Sequence, residues 1–104
     1  MNPHLVYVTT KDDAEAKMIA RTVIEERLAA CANLLGGMQS IYQWKGELRA
    51  GTEHKIFVKT SADRLEPLRQ EIRSAHPYAV AEILYFEIDS GDPEYLDWIT
   101  QSTQ

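Results

Sequence analysis

Residues 32–44 read Ala32-Asn33-Leu34-Leu35-Gly36-Gly37-Met38-Gln39-Ser40-Ile41-Tyr42-Gln43-Trp44, and the way this block is satisfied decides the fold. A glycine pair inside an otherwise strand-like run predicts a bulge or sharp bend rather than an even ladder. Beyond the pair, Met38, Ser40, Tyr42 and Trp44 alternate onto one face, and Gln39, Ile41 and Gln43 onto the other. Extended throughout, the block reaches roughly 40 Å at about 3.3 Å per residue, longer than a layer of two helices covers. Few charges and no proline blunt it. An exposed edge of that kind invites pairing, so the expectation is strand pairing between subunits in a closed homo-oligomer.

Working outward, His4–Thr9 is a short β-branched, apolar strand. Thr10-Lys11-Asp12-Asp13 opens a helix, with Asp12 and Glu15 as an alternative cap pair. Ala16, Ile19, Ala20, Val23, Ile24 and Leu28 then recur at helical spacing. On the far side of the block, Lys45-Gly46-Glu47 predicts a hairpin tip. Turn character extends to Gly51, so the next strand is placed at Glu53–Thr60. Leu65, Leu68, Ile72 and Ala75 mark a second helix. With Asp63 as its cap, Pro67 would remove an early hydrogen bond, which moves the start later, and Pro77 closes the helix. Val80–Asp89 is a strand. Asp92 and Pro93 start a final helix anchored by Leu96 and Ile99. The order βαββαβ plus a helix defines an α+β, ferredoxin-like sandwich with an antiparallel sheet, occupying residues 1–104 as one domain.

Sixteen acidic and eleven basic residues give a formal charge of -5. Without a basic stripe this argues against nucleic acid, whose binding depends on neutralising phosphates. No apolar run spans a bilayer. The start carries no signal-peptide pattern, and the one cysteine forms no internal disulfide, so a cytoplasmic, reducing setting is expected.

No catalytic constellation stands out, so no enzyme activity and no required cofactor are expected. The imidazole and thiolate candidates for a metal are His4, His54, His76 and Cys31, with no clustered pair among them. His76 has two readings. Symmetry brings it to other subunits' His76 or carboxylates as a metal ligand, or it caps a helix C-terminus, where the dipole favours an imidazolium. Cys31 reads as a small hydrophobe. Glu53 and Lys59 share one strand face, and Glu82 faces them from the last strand, outlining an intersubunit cleft with opposed charges near Tyr78 and His76. The same residues also suit a structural ion-pair network.

Several strings resemble one family. They are Glu26-Arg27-Leu28-Ala29-Ala30-Cys31-Ala32-Asn33, Ser40-Ile41-Tyr42, Trp44 and Gly46. Glu53 with Lys59-Thr60, His76-Pro77-Tyr78, Glu82-Ile83, Tyr95-Leu96 and Trp98-Ile99 follow in the second half. In order and spacing the chain is similar to the CutA divalent-cation tolerance proteins. The resemblance implies ferredoxin-like subunits in tight trimers through paired long strands, and a link to tolerance of copper and other divalent metals. Copper-binding members use a Cys at the end of the first strand and a His-His pair before the proline. Thr9, Thr10 and Ala75 stand there in this chain, leaving His76 as the remaining ligand for Cu(II) or another divalent metal.

Three other users of this topology have distinct requirements. An acylphosphatase needs a glycine-rich anion cradle, where this chain has Thr9-Thr10-Lys11-Asp12-Asp13. An RNA-recognition domain needs positive charge and exposed aromatics on its central strands. A PII-like trimeric small-ligand sensor has a long loop between its second and third strands, where this chain offers Lys45 to Thr52. The sensor remains the alternative, using the cleft at Lys59, His76, Tyr78 and Glu82.

Overall fold

The computed structural model describes residues 2–76 and 80–104. Pro77 and Tyr78, assigned above to the helix end and the cleft, lie outside them. The elements in chain order are β1 (His4–Thr10), α1 (Asp13–Glu25), β2 (Cys31–Trp44), β3 (Glu47–Thr60), α2 (Leu65–Ala75), β4 (Ile83–Glu87) and α3 (Pro93–Ser102). The sheet order is β2-β3-β1-β4, and every pairing is antiparallel. This is the α+β, ferredoxin-like arrangement expected from the sequence, with β2 at an edge.

Even-numbered residues of β1 and β3 form the packed face. Val6, Val8, Ile56 and Val58 are buried against Ala16, Ile19 and Val23 of α1 and Leu68 and Ile72 of α2. The opposite face carries Leu5, Tyr7, Phe57, Leu84 and Phe86. No helix of that core layer covers it: Leu84 and Phe86 are exposed, and Tyr7 and Phe57 are half-buried with their rings 5.5 Å apart.

Helix α1 is started by the alternative cap pair. The Asp12 carboxylate accepts from the Glu15 N–H at 2.9 Å, and the Glu15 carboxylate accepts from the Lys11 N–H at 3.4 Å. The first meets one of the donors that a helix start leaves unpaired, and the second ties the residue before the cap to the first turn. The helix ends in a Schellman turn, where Leu28 N–H reaches the Val23 carbonyl and Arg27 N–H that of Ile24. Arg27 takes the left-handed conformation, φ 59°. Helix α2 starts at Leu65, after a single 3-10 turn over Ala62–Arg64. Pro67 therefore falls within the first turn, where no intrahelical donor is required. Asp92 caps α3, accepting from the Tyr95 N–H at 3.2 Å, with Pro93 in the first position.

Two expected boundaries are corrected. Gly51 is no turn: β3 begins at Glu47, and Gly51 pairs with Ser40 inside the ladder. The connection is a two-residue turn in which Lys45 (φ 52°) and Gly46 (φ 78°) are both left-handed, matching the twist of a tight hairpin. The last strand is Ile83–Glu87, shorter than Val80–Asp89, because β1 supplies partners only from His4 to Val8. The bulge falls where the glycine pair predicts it. Leu35 pairs with Lys55 and Met38 with Glu53, so Gly36 and Gly37 together face His54. Past the bulge, β2 and β3 run on as a bare two-stranded arm, and the chain measures 45 × 25 × 22 Å.

Candidate functional site

Helix α2 ends at Ala75, which turns the His76 side chain under the end of β1. Its Nε2–H donates to the Thr9 carbonyl at 2.6 Å, the tautomer that a carbonyl partner requires, and lies 3.9 Å from Glu15 Oε1. The imidazole is fully buried. One ring nitrogen thus meets a carbonyl and a carboxylate, the latter held by its role at the start of α1. Among the described residues no group of three or more His, Cys, Asp and Glu side chains is placed to hold a metal ion. His4 lies at the start of β1 with Nδ1 near the Asn2 carbonyl, and Cys31 sits half-buried beside Asn33.

The uncovered sheet face holds a second feature. Where the arm leaves the body, a hollow of about 460 Å³ is lined by Thr9, Tyr42, Trp44, Arg49, Glu53, Val80 and Glu82. Period-two alternation puts them there. Tyr42 and Trp44 of β2 stand opposite Arg49 and Glu47 of β3, and Glu53 follows on the same face. The Thr9 hydroxyl donates to Glu82 Oε1 at 3.5 Å. Tyr7, adjacent on β1, has its phenol pushed above its ordinary value by burial first, then by the negative charges of Glu82 and Glu53. The two carboxylates therefore impose a negative field on this end of the sheet. Arg49 Nη2 lies 3.4 Å from Glu47 Oε2, so its charge is met on the arm itself.

The structure brings Glu53 and Glu82 together, as the sequence suggests. Lys59 stands apart from them within one chain, at the other end of β3, with Nζ 3.2 Å from the Tyr95 hydroxyl and 5.4 Å from that ring's centroid. Tyr78 lies outside the described residues. Sequence reasoning missed Arg49. Ending the strand at a supposed Gly51 turn concealed the alternation Glu47, Arg49, Gly51, Glu53 that would have found it.

A four-stranded antiparallel sheet with its two long helices on one face, one apolar face free of them and a strand arm projecting from an edge defines a ferredoxin-like fold. The family model described as CutA1 divalent ion tolerance protein matches residues 4–102, and the chain belongs to that family. It is 39% identical over 99 residues to the divalent-cation tolerance protein CutA of Thermus thermophilus, covering 95% of this chain and 96% of that protein. It is 42% identical over 98 residues to mouse protein CutA, covering 94% of this chain but only 55% of the mouse protein. The chain thus spans little more than half the length of several animal and plant relatives. Among solved structures, the Thermus thermophilus divalent cation tolerance protein superposes with a TM-score of 0.95 at 38% identity, covering 98% of this chain and 99% of the other. CutA from Xylella fastidiosa gives 0.97 at 32% identity, covering all of both chains. A relative from Archaeoglobus fulgidus is described as periplasmic, and no described helix of the present chain is long and apolar enough to cross a membrane.

Proposed function

We propose that this chain serves divalent-cation tolerance as a non-catalytic cytoplasmic homotrimer, and that Cu(II) meets it at His76. The observation that carries the metal half is the meeting of the His76 imidazole with Glu15 and the Thr9 carbonyl, nitrogen and oxygen donors of the type Cu(II) accepts. A metal takes Nε2 only if the ring proton moves to Nδ1, which gives up the hydrogen bond to the Thr9 carbonyl. Two side-chain donors make a weak site unless a neighbouring subunit completes it. The assembly half is supported by the uncovered face with Leu84 and Phe86, by the arm's exposed Ile41 and Leu48, and by the free edge of β2.

Calorimetric titration with Cu(II) and Zn(II), on wild type and His76→Ala, tests the metal half. Saturable Cu(II) binding that His76→Ala removes is expected. Binding untouched by the substitution would move the metal elsewhere, and none at all would make the tolerance indirect. Native mass measurement at low micromolar concentration is expected to give trimers, and a monomer would overturn the assembly.

A second reading, a trimeric small-ligand sensor, is favoured by one observation: the hollow at Glu53 and Glu82 is of the size that holds a small organic molecule.

A further inference from the structure

We propose that His54 is an acid-sensitive latch at the root of the arm: its neutral ring seats on Gly36 and holds the bulge, and a second proton drives it off that seat and loosens the arm. The device uses no metal, ligand or partner subunit and so stands apart from the function proposed above.

Topology puts the ring where the arm begins. His54 pairs with Thr10, the last residue of β1, and beyond it β3 keeps only β2 as a partner. On the β2 side the same point is the bulge, where Leu35 pairs with Lys55 and Met38 with Glu53. The two glycines of the bulge have separate uses. Gly37 has φ 73°, a conformation that glycine adopts without a Cβ clash. Gly36 is not left-handed, and what a side chain would meet there is the imidazole, with Nε2 2.7 Å and Cδ2 2.9 Å from a Cβ. Gly36 is thus the seat of the His54 ring, and its bare Cα lets the ring close the joint between arm and body.

In that seat Nδ1 is buried and meets no hydrogen-bond partner among the described residues. A neutral ring with its proton on Nε2 leaves only a lone pair at Nδ1. A second proton goes to Nδ1, and a charged N–H buried without an acceptor costs more than a neutral group left unmet. In water the same N–H is solvated, so leaving the seat takes up a proton and acid favours leaving. The charges nearby do not reverse this. On α1, the Asp13 carboxyl feels the His54 charge, but it is held by Lys17 at 2.9 Å, and both side chains are more than half exposed. Asp12 accepts from the Glu15 N–H and Glu15 from the Lys11 N–H, with His76 3.9 Å from Glu15. From β1 the neighbour is Thr10, whose hydroxyl donates to the His54 carbonyl at 3.4 Å, and β2 carries no charged residue. Glu53 and Lys55 alternate onto the opposite face of β3. Lys11 is exposed, and its charge, like the positive start of α1, opposes an imidazolium.

The experiment follows backbone amide exchange by NMR on the full chain, with a chelator present, from about pH 7.5 to about pH 5.5, within the range where histidine changes charge. Rates are expressed as protection relative to an unstructured peptide at each pH. Protection of the amides of residues 38–44 is expected to fall about tenfold, which one proton taken up on opening permits, while Val6 and Val8 keep theirs. The fall should share its midpoint with the ring shift of His54 itself. His54→Phe keeps a ring over Gly36 and takes no proton, so its protection should not vary with pH. His54→Gln is the second variant, with the same expectation, should the phenylalanine chain not fold. Unchanged protection in the wild type would overturn the proposal, and so would a fall that persists in these variants. A fall abolished by His76→Ala and not by His54→Phe would overturn it too, assigning the pH response to the imidazole buried under β1.

Discussion

Strand β3 passes through two physical environments, and the contrast between its halves is the most instructive feature of the molecule. From His54 to Thr60 it lies between β1 and β2 under two helices, with Ile56 and Val58 wholly excluded from water. From Glu47 to Glu53 it has one partner strand and no helix, and Leu48 is 76% exposed, as Ile41 is at 75% on the facing strand. Pairing with β2 runs along both halves and is interrupted only at the Gly36-Gly37 bulge, so the ladder is not what separates them. Burial is. An isolated two-stranded ribbon is at best marginal in water, and this one draws its persistence from the body at its base and from whatever meets its tip.

The sharpest way to break the comparison is to remove the same kind of side chain from each half. Ile56→Ala leaves a cavity among Val8, Ile19 and Leu68 and is expected to cost about 2–5 kcal/mol in urea unfolding. Leu48→Ala is expected to change subunit stability by less than about 0.5 kcal/mol, since it empties nothing within the chain. If the arm packs on a second subunit, Leu48→Ala instead shifts the concentration at which the oligomer dissociates, read by native mass across a dilution series. Equal costs for the two substitutions in the unfolding experiment would mean that the halves do not differ as described.

The junction between the halves gives the next effect. A Cβ on Gly36 would come within 2.7 Å of His54 Nε2, and His54 Nδ1 is buried with no hydrogen-bond partner among the described residues. Gly36→Ala is therefore expected to cost about 1–3 kcal/mol through overpacking. His54→Ala frees that space, so the double substitution should cost clearly less than the sum of the two. Strict additivity in the cycle would show that the imidazole and the glycine do not contact each other in solution.

How far these regions could be read from sequence follows from what each depends on. Helix α1 and strand β1 were legible because periodicity and caps act within a few residues: Ile19, Val23 and Val8 announce their faces locally. The bulge was legible because Gly36-Gly37 has few other uses inside a strand. The start of β3 was not. Gly51 carries weak strand propensity and follows a hairpin signal, and pairing with Ser40 keeps it extended. A shared strand face does not by itself bring Lys59 to Glu53, since six residues of strand span roughly 20 Å. His76 was legible as a candidate ligand, but its burial against Thr9 depends on tertiary placement of α2 that no local pattern encodes. The hollow shares that limit: Tyr42 comes from β2, Arg49 from β3 and Glu82 from the residue just before β4, so no single window contains it.

A smaller effect sharpens the contrast on the body's side. Arg27 holds a left-handed conformation at the end of α1, where glycine is favoured, and its Nε donates to the Gln104 carbonyl at 2.9 Å. Arg27→Gly removes the steric cost of about 1 kcal/mol but also that tie to the chain end. The expected net gain is below about 1 kcal/mol in thermal unfolding, with faster amide exchange near Gln104. A loss of stability would show that the tie outweighs the strain.

The smallest expected effect is electrostatic, in the first turn of α1. The Asp13 carboxyl is held below its ordinary value chiefly by its hydrogen bond to Lys17, whose Nζ lies 2.9 Å away, with smaller help from the charges of Lys17 and His54. A depressed carboxyl contributes stability above its unfolded value and loses it as pH falls through the folded one. The contribution is thus present at neutral pH and fades only on the acid side. Both side chains are more than half exposed, so water and salt screen the pair. Lys17→Met should flatten the acid limb of the stability-against-pH curve slightly and leave the neutral-to-alkaline limb unmoved. The difference should shrink further in high salt. An effect larger than that of Gly36→Ala, or one confined to alkaline pH, would mean that Asp13 answers to a partner other than Lys17.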